Sequence, residues 1–318
     1  MTRAMAIGMA RAALMAAALF LAGCYVPIAG AFLMIFAPLP VMDFSIRRPA
    51  WFARAAVAVA IAAGLITLTA GWPAGAAYFV TFGVASILLS WLLERQVRFE
   101  LVVLISTAAM LLAGGLVALI ATGSPAALVD TLRNALSAGM MHGEQFYRTL
   151  GMENGLSPEA QANVLNITVR ISPALVALSA AFAVLINMMV FWRWFNRERL
   201  GYRLFGDLAR WSTPEWLIWI LLATGFALFV PMPAVRTVAL DIFIFVAAIY
   251  FCQGLAIMRF YFKMLAMPSL ARGLIYLVTG IQPILTALVC AAGVFDMWID
   301  FRRLKPPSQE AGNFGDFL

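Results

Sequence analysis

The chain has 318 residues, of which 64% are hydrophobic and only 12% charged, with a mean hydropathy of +0.93. Soluble domains carry about 25% charged residues, and a chain of this size would leave its apolar surface uncoated in water. This excludes a soluble globule and predicts an all-α, polytopic transmembrane helical bundle: one domain over 1–305, then a disordered tail over 306–318.

Residues 12–42 form a nearly unbroken apolar stretch, too long for one upright helix and interrupted by Pro27, Pro38 and Pro40. The favoured reading is a tight helical hairpin, 9–23 and 26–42, turning at Tyr25-Val26-Pro27; a single tilted crossing is the alternative. Leu21-Ala22-Gly23-Cys24, preceded by Arg3 and Arg11, resembles a bacterial lipoprotein cleavage site that would leave Cys24 lipidated. The apolar run from Tyr25 to Met42 speaks against it, because such proteins continue with a polar tether.

Membrane-length apolar runs follow at 53–71, 76–93, 101–122, 168–192, 214–231, 237–262 and 272–297. A crossing needs about 20 such residues, so about eight to nine membrane helices are expected in all. The runs lack the alternation of a barrel strand and are about twice its length. Between 125 and 150, Val129, Leu132, Leu136 and Met140 recur at helical spacing opposite Asp130, Arg133 and Asn134, which predicts an interfacial amphipathic helix. Thr213-Pro214-Glu215 predicts a helix start, with a capping hydroxyl, a proline in the first turn and an acid near the positive dipole end.

Basic residues assign the two sides. The N-terminus and loops 43–54, 94–99, 193–212 and 259–272 hold 15 Lys or Arg, against seven on the other side. Three of those seven, Arg302, Arg303 and Lys305, fall there only if 272–297 crosses completely, which conflicts with the rule or with the helix count. In loop 193–212, Arg197, Arg199 and Arg203 make the strongest basic patch, suited to lipid headgroups or a protein partner. Membrane-flanking arginines account for the pI near 9.8, so nucleic acid is not expected as a partner.

No phosphate-binding loop ending in Lys-Ser or Lys-Thr is present. His142 has no second His or Cys nearby, which argues against a metal. Cys252 and Cys290 lie within apolar runs, where single cysteines act as small apolar residues. These features predict neither enzyme activity nor a cofactor, and nucleotide-driven transport would need a partner subunit. The candidate ligand-binding residues are the polar groups at bilayer depth or at the span ends: Asn187, Tyr250, Gln253, Gln282, Asp296 and Asp300. Gln253 and Gln282 are the deepest, and Pro283 beside Gln282 frees a backbone carbonyl at similar depth. Asp296 and Asp300 share a helix face with Arg303, which predicts an ion-pair network at a membrane boundary, with a proton or cation site as the alternative. For each of these groups, hydrogen bonding between helices is the competing structural reading.

Three segments, Pro214-Glu215-Trp216-Leu217-Ile218-Trp219, Tyr250-Phe251-Cys252-Gln253-Gly254-Leu255-Ala256 and Phe295-Asp296-Met297-Trp298-Ile299-Asp300-Phe301-Arg302-Arg303, resemble the YybS-like family of uncharacterised bacterial membrane proteins (domain of unknown function 2232). Pro38-Leu39-Pro40 after an apolar hairpin fits the same pattern. The resemblance implies a bacterial inner-membrane protein of about eight helices, with a distant similarity to the substrate-capturing S components of energy-coupling-factor transporters. Such components dock on a partner through small residues of their first helix, and Ala12, Ala13, Ala16 and Ala17 supply pairs of that kind. The functional expectation is a small-solute transporter, or its membrane-embedded binding subunit, holding a small polar ligand between the C-terminal spans. The alternatives are a non-transporting scaffold that assembles other membrane proteins and, least supported, an intramembrane enzyme acting on lipid.

Overall fold

The computed structural model describes residues 3–26, 29–46, 51–149, 157–195 and 208–302. Arg197, Arg199, Arg203, Arg303, Lys305 and the tail 306–318 lie outside the described residues. The described residues are helical with short connections and include no strand. They form two compact units, Met1–Leu204 and Phe205–Leu318, a division that composition does not reveal.

The first unit opens with α1 (Arg3–Tyr25), α2 (Ala29–Met34) and α3 (Leu39–Ile46), followed by α4 (Trp51–Ala70). The chain turns back after Tyr25 as the hairpin reading expects, and α2 lies so close to α1 that a Cβ at Gly30 would collide with the Ala22 carbonyl. The returning arm is not one helix. It breaks before Pro38 and Pro40, where Leu39 N–H bonds to Phe36 instead of continuing the α-helical pattern to Ile35. Ala12, Ala13, Ala16, Ala17 and Phe20 of α1 pack against Ala55, Ala58, Val59, Ala62 and Ile66 of α4, all buried. Small residues at helical spacing allow this close approach. The alanine pairs of α1 are thus used inside the unit and are not open to a docking partner. Phe20 meets Tyr78 and Phe82 edge to face, at centroid distances of 5.4 and 5.9 Å.

Next come α5 (Trp72–Tyr78) and α6 (Val84–Glu94), joined through a π-helical turn at Phe79–Gly83 into one apolar rod. Then α7 (Phe99–Thr122) ends at Gly123 in the left-handed region, where glycine avoids the Cβ clash. α8 (Pro125–Thr149) is the expected amphipathic helix, and α9 (Pro158–Val190) begins at Ser157, whose hydroxyl accepts from Ala160 N–H. With 33 residues, α9 extends about 50 Å, more than the ~30 Å hydrocarbon core requires. Its polar first turns carry α8 through Arg133 to Asn166 (2.8 Å) and Gln161 to Glu144 (3.3 Å).

The second unit contains α10 (Leu217–Ala227), α11 (Pro233–Met264), α12 (Ser269–Ile281) and α13 (Pro283–Ile299). Thr213 does not cap α10, which starts four residues later with Trp216 at the N-cap. α10 and α11 are antiparallel: Thr213 pairs with Gln253 at one end, and Gly225 faces Phe243 at the other. α11 and α13 run parallel, because Ala247 meets Cys290, Gln253 meets Asp296 and Tyr261 meets Phe301 in rising order. They touch backbone to backbone. A Cβ on Gly254 would collide with the Val289 carbonyl, and one on Gly293 with the Tyr250 carbonyl.

The expected count of eight to nine membrane helices is not confirmed. Among the described residues, six helices are long and apolar enough to cross, and up to seven if the bent α12–α13 pair makes one span. The difference has three sources: 29–46 is split in two, α10 has only 11 residues, and 272–297 bends by 102° at Gln282–Pro283.

Candidate functional site

A group of polar side chains in the second unit converges where α10 begins and α13 ends, against Gln253 in the second half of α11. Asp296, near the end of α13, is 6% exposed, and its Oδ2 accepts from Arg302 Nη2 at 2.6 Å. Arg302 is 3% exposed, and its Nη1 donates to the carbonyls of Ala209 (2.9 Å) and Trp211 (2.8 Å). Gln253 Nε2 donates to the same carboxylate oxygen at 3.0 Å. Gln253 Oε1 in turn accepts from the backbone N–H of Thr213 at 3.1 Å and from its hydroxyl. The other carboxylate oxygen, Asp296 Oδ1, accepts from Phe301 N–H at 3.1 Å.

Local sequence explains the convergence. Asp300 takes a left-handed conformation (φ 46°) that closes α13, its N–H bonding to the Asp296 carbonyl at 3.0 Å. Aspartate tolerates this region better than most residues. The chain therefore turns sharply, and Arg302, six positions beyond Asp296, folds back onto its carboxylate. Gln253 lies beside Asp296 because Gly254 and Gly293 let α11 and α13 approach so closely. A buried carboxylate is tolerated only when its charge is paired and its lone pairs are occupied, and both conditions hold here.

The expected site residues separate into groups. Tyr250, Gln253 and Asp296 come together, with Asp300 shaping the turn beside them. Gln282 stands apart and is exposed at the bend between α12 and α13. Asn187 belongs to the first unit, where its Nδ2 donates to the carbonyls of Ile35 and Ala183, both at 2.7 Å. Ile35 is the residue whose carbonyl the α2–α3 break leaves without a helical donor, so Asn187 repairs that break. The α12–α13 break is repaired in the same way. Pro283 has no N–H to offer the Thr279 carbonyl, and Thr286 Oγ1 donates to it at 2.6 Å. The partner of Asp296 is Arg302; Arg303, expected from helical spacing, lies outside the described residues.

Sequence reasoning missed Thr213 and Arg302. Thr213 reads as a cap and Arg302 as one more flanking cation, and neither shares a helical period with its partners. Among the described residues, no three His, Cys, Asp or Glu side chains converge as a metal ion would require. Cys24 is exposed at the end of α1. Cleavage before it would remove the helix that supplies Ala12, Ala13, Ala16, Ala17 and Phe20 to the core.

Long apolar helices, a buried ion pair and a helix pair broken within an apolar segment define a polytopic α-helical membrane protein. Residues 14–297 match the family model described as "Predicted membrane protein (DUF2232)", and the chain belongs to that family. No curated protein and no solved structure matches it.

Proposed function

We propose that this chain is a small-solute transporter of the bacterial inner membrane, or the membrane-embedded substrate-binding subunit of one, and not an enzyme. The observation that carries this reading is the helix pair broken at Gln282–Pro283 inside an apolar segment, with a buried Asp296–Arg302 pair at the far end of α13. Broken helices and paired intramembrane charges recur in transporters, where unwound backbone offers polar groups that a continuous helix cannot. No nucleotide-binding motif is present in the sequence, so coupling to ATP would require a partner subunit.

One observation favours the scaffold reading instead. Gln253 and Arg302 both donate to Asp296, as side chains that only hold helices together would do. Native mass spectrometry of the gently extracted protein separates the two. A retained small polar molecule, or an ATPase pair carried with the chain, is the expected result. A chain released bare, or in a stable complex with proteins unrelated to transport, overturns the transport reading.

A further inference from the structure

The α12–α13 pair is compatible in length with a bent crossing, yet its neighbours place both of its ends on one side. α12 starts only four residues after α11, separated by Leu265–Pro268. Phe262 of α11 stacks edge-on against Tyr276 of α12, with centroids 5.3 Å apart. At the other end of the pair, the Tyr261 hydroxyl donates to the Phe301 carbonyl at 2.9 Å, just past α13. The chain thus leaves the end of α11 and returns to it, because α13 runs in the direction of α11.

The 102° bend fixes how deep the excursion goes. With the two arms equally inclined, 13 residues of α12 and 17 of α13 carry the apex inward by roughly 15–20 Å. This is about half of the ~30 Å hydrocarbon core. Exposed Trp216 and Trp219 at the start of α10 and exposed Trp298 at the end of α13 mark the boundary from which the depth is measured. Arg210, Arg259, Lys263 and Arg272 lie in the segments at the same end.

We propose that α12 and α13 form a re-entrant hairpin that enters and leaves the membrane at the end where α11 finishes, with Gln282 at the floor of an aqueous cleft open to that side. Two observations support the cleft. The side chain of Gln282 is exposed, and an amide at bilayer depth needs water or a polar partner. Thr286 restores the Thr279 carbonyl, but the bend takes the Gly280 and Ile281 carbonyls and the Ile284 and Leu285 amides out of the bonds a continuous helix would give them, and backbone of this kind persists at bilayer depth only against protein or water. The topology also removes the conflict in charge distribution. Arg302, Arg303 and Lys305 move to the basic side, which then holds 18 cations against four. The cleft deepens the transport reading and rests on it; the hairpin stands without it.

The test is thiol labelling from each side of oriented vesicles, using a membrane-impermeant maleimide on the full chain with Cys24, Cys252 and Cys290 replaced by serine. Met267→Cys reports the α11–α12 connection, Met232→Cys the opposite end, Ser308→Cys the tail and Gln282→Cys the apex. Gly280→Cys is a second apex probe, since a side chain there meets open space. The expected result is that Met267→Cys, Ser308→Cys and at least one apex variant react from one side, while Met232→Cys reacts from the other. Reaction of Ser308→Cys together with Met232→Cys overturns the hairpin. Apex variants that stay unreactive from the Met267 side, in protein that inserts normally, overturn the cleft. Neither failure depends on ligand retention, so each is distinguishable from failure of the transport reading.

Discussion

Arg302→Ala removes the cation paired with the buried Asp296 carboxylate and the donor to two carbonyls. The side chains of the pair are 1% and 5% exposed, so water cannot replace what is lost. Breaking a buried pair by deleting one partner costs about 3–5 kcal/mol. Each lost intramembrane hydrogen bond adds about 0.6 kcal/mol. At about 1.4 kcal/mol per decade, the pair and the two carbonyl bonds together lower the folded-to-unfolded ratio of the second unit by roughly three to four and a half orders of magnitude. Reversible unfolding in mixed micelles, followed by tryptophan fluorescence, reads this directly. Asp296→Ala should cost a similar amount, and the double variant should cost about 2–3 kcal/mol less than the sum of the two. Arg98→Ala is the control: its 3.7 Å contact with Glu100 is at the surface, with the arginine side chain 81% exposed, and no measurable change is expected. An Arg302→Ala protein as stable as the parent, or strict additivity in the double variant, refutes the assignment of this network as the clamp of the second unit.

Three further outcomes are expected. Gly293→Ala places a methyl against the Tyr250 carbonyl and should cost about 1–3 kcal/mol, whereas Gly280→Ala, facing open space, should leave the thermal midpoint unchanged. Asn187→Leu leaves the Ile35 carbonyl without its donor, and the first unit should lose about 1–3 kcal/mol in the same unfolding assay. Cys24→Ser should alter neither intact mass, apart from the substitution, nor membrane retention, because α1 belongs to the core; a lipid-sized mass difference between parent and variant contradicts this.

Composition alone determined that the chain is a helical membrane protein, because 64% hydrophobic residues in blocks of bilayer length leave no soluble alternative. The spans 53–71, 101–122 and 237–262 were legible for the same reason: each is continuous, apolar and free of internal proline. The hairpin turn near Tyr25 was legible from proline and length. Sequence could not show that 29–46 and 272–297 break, because a proline marks where a helix can fail and not how far the axis then swings. Nor could it show that Asn187 and Thr286 repair those breaks, since each answers a carbonyl that exists only after the bend. Gln253 and Asp296 stood out as polar groups in apolar helices. Their union with Thr213 and Arg302 depended on a left-handed Asp300 and on two glycines meeting across α11 and α13, a tertiary coincidence that no helical period records.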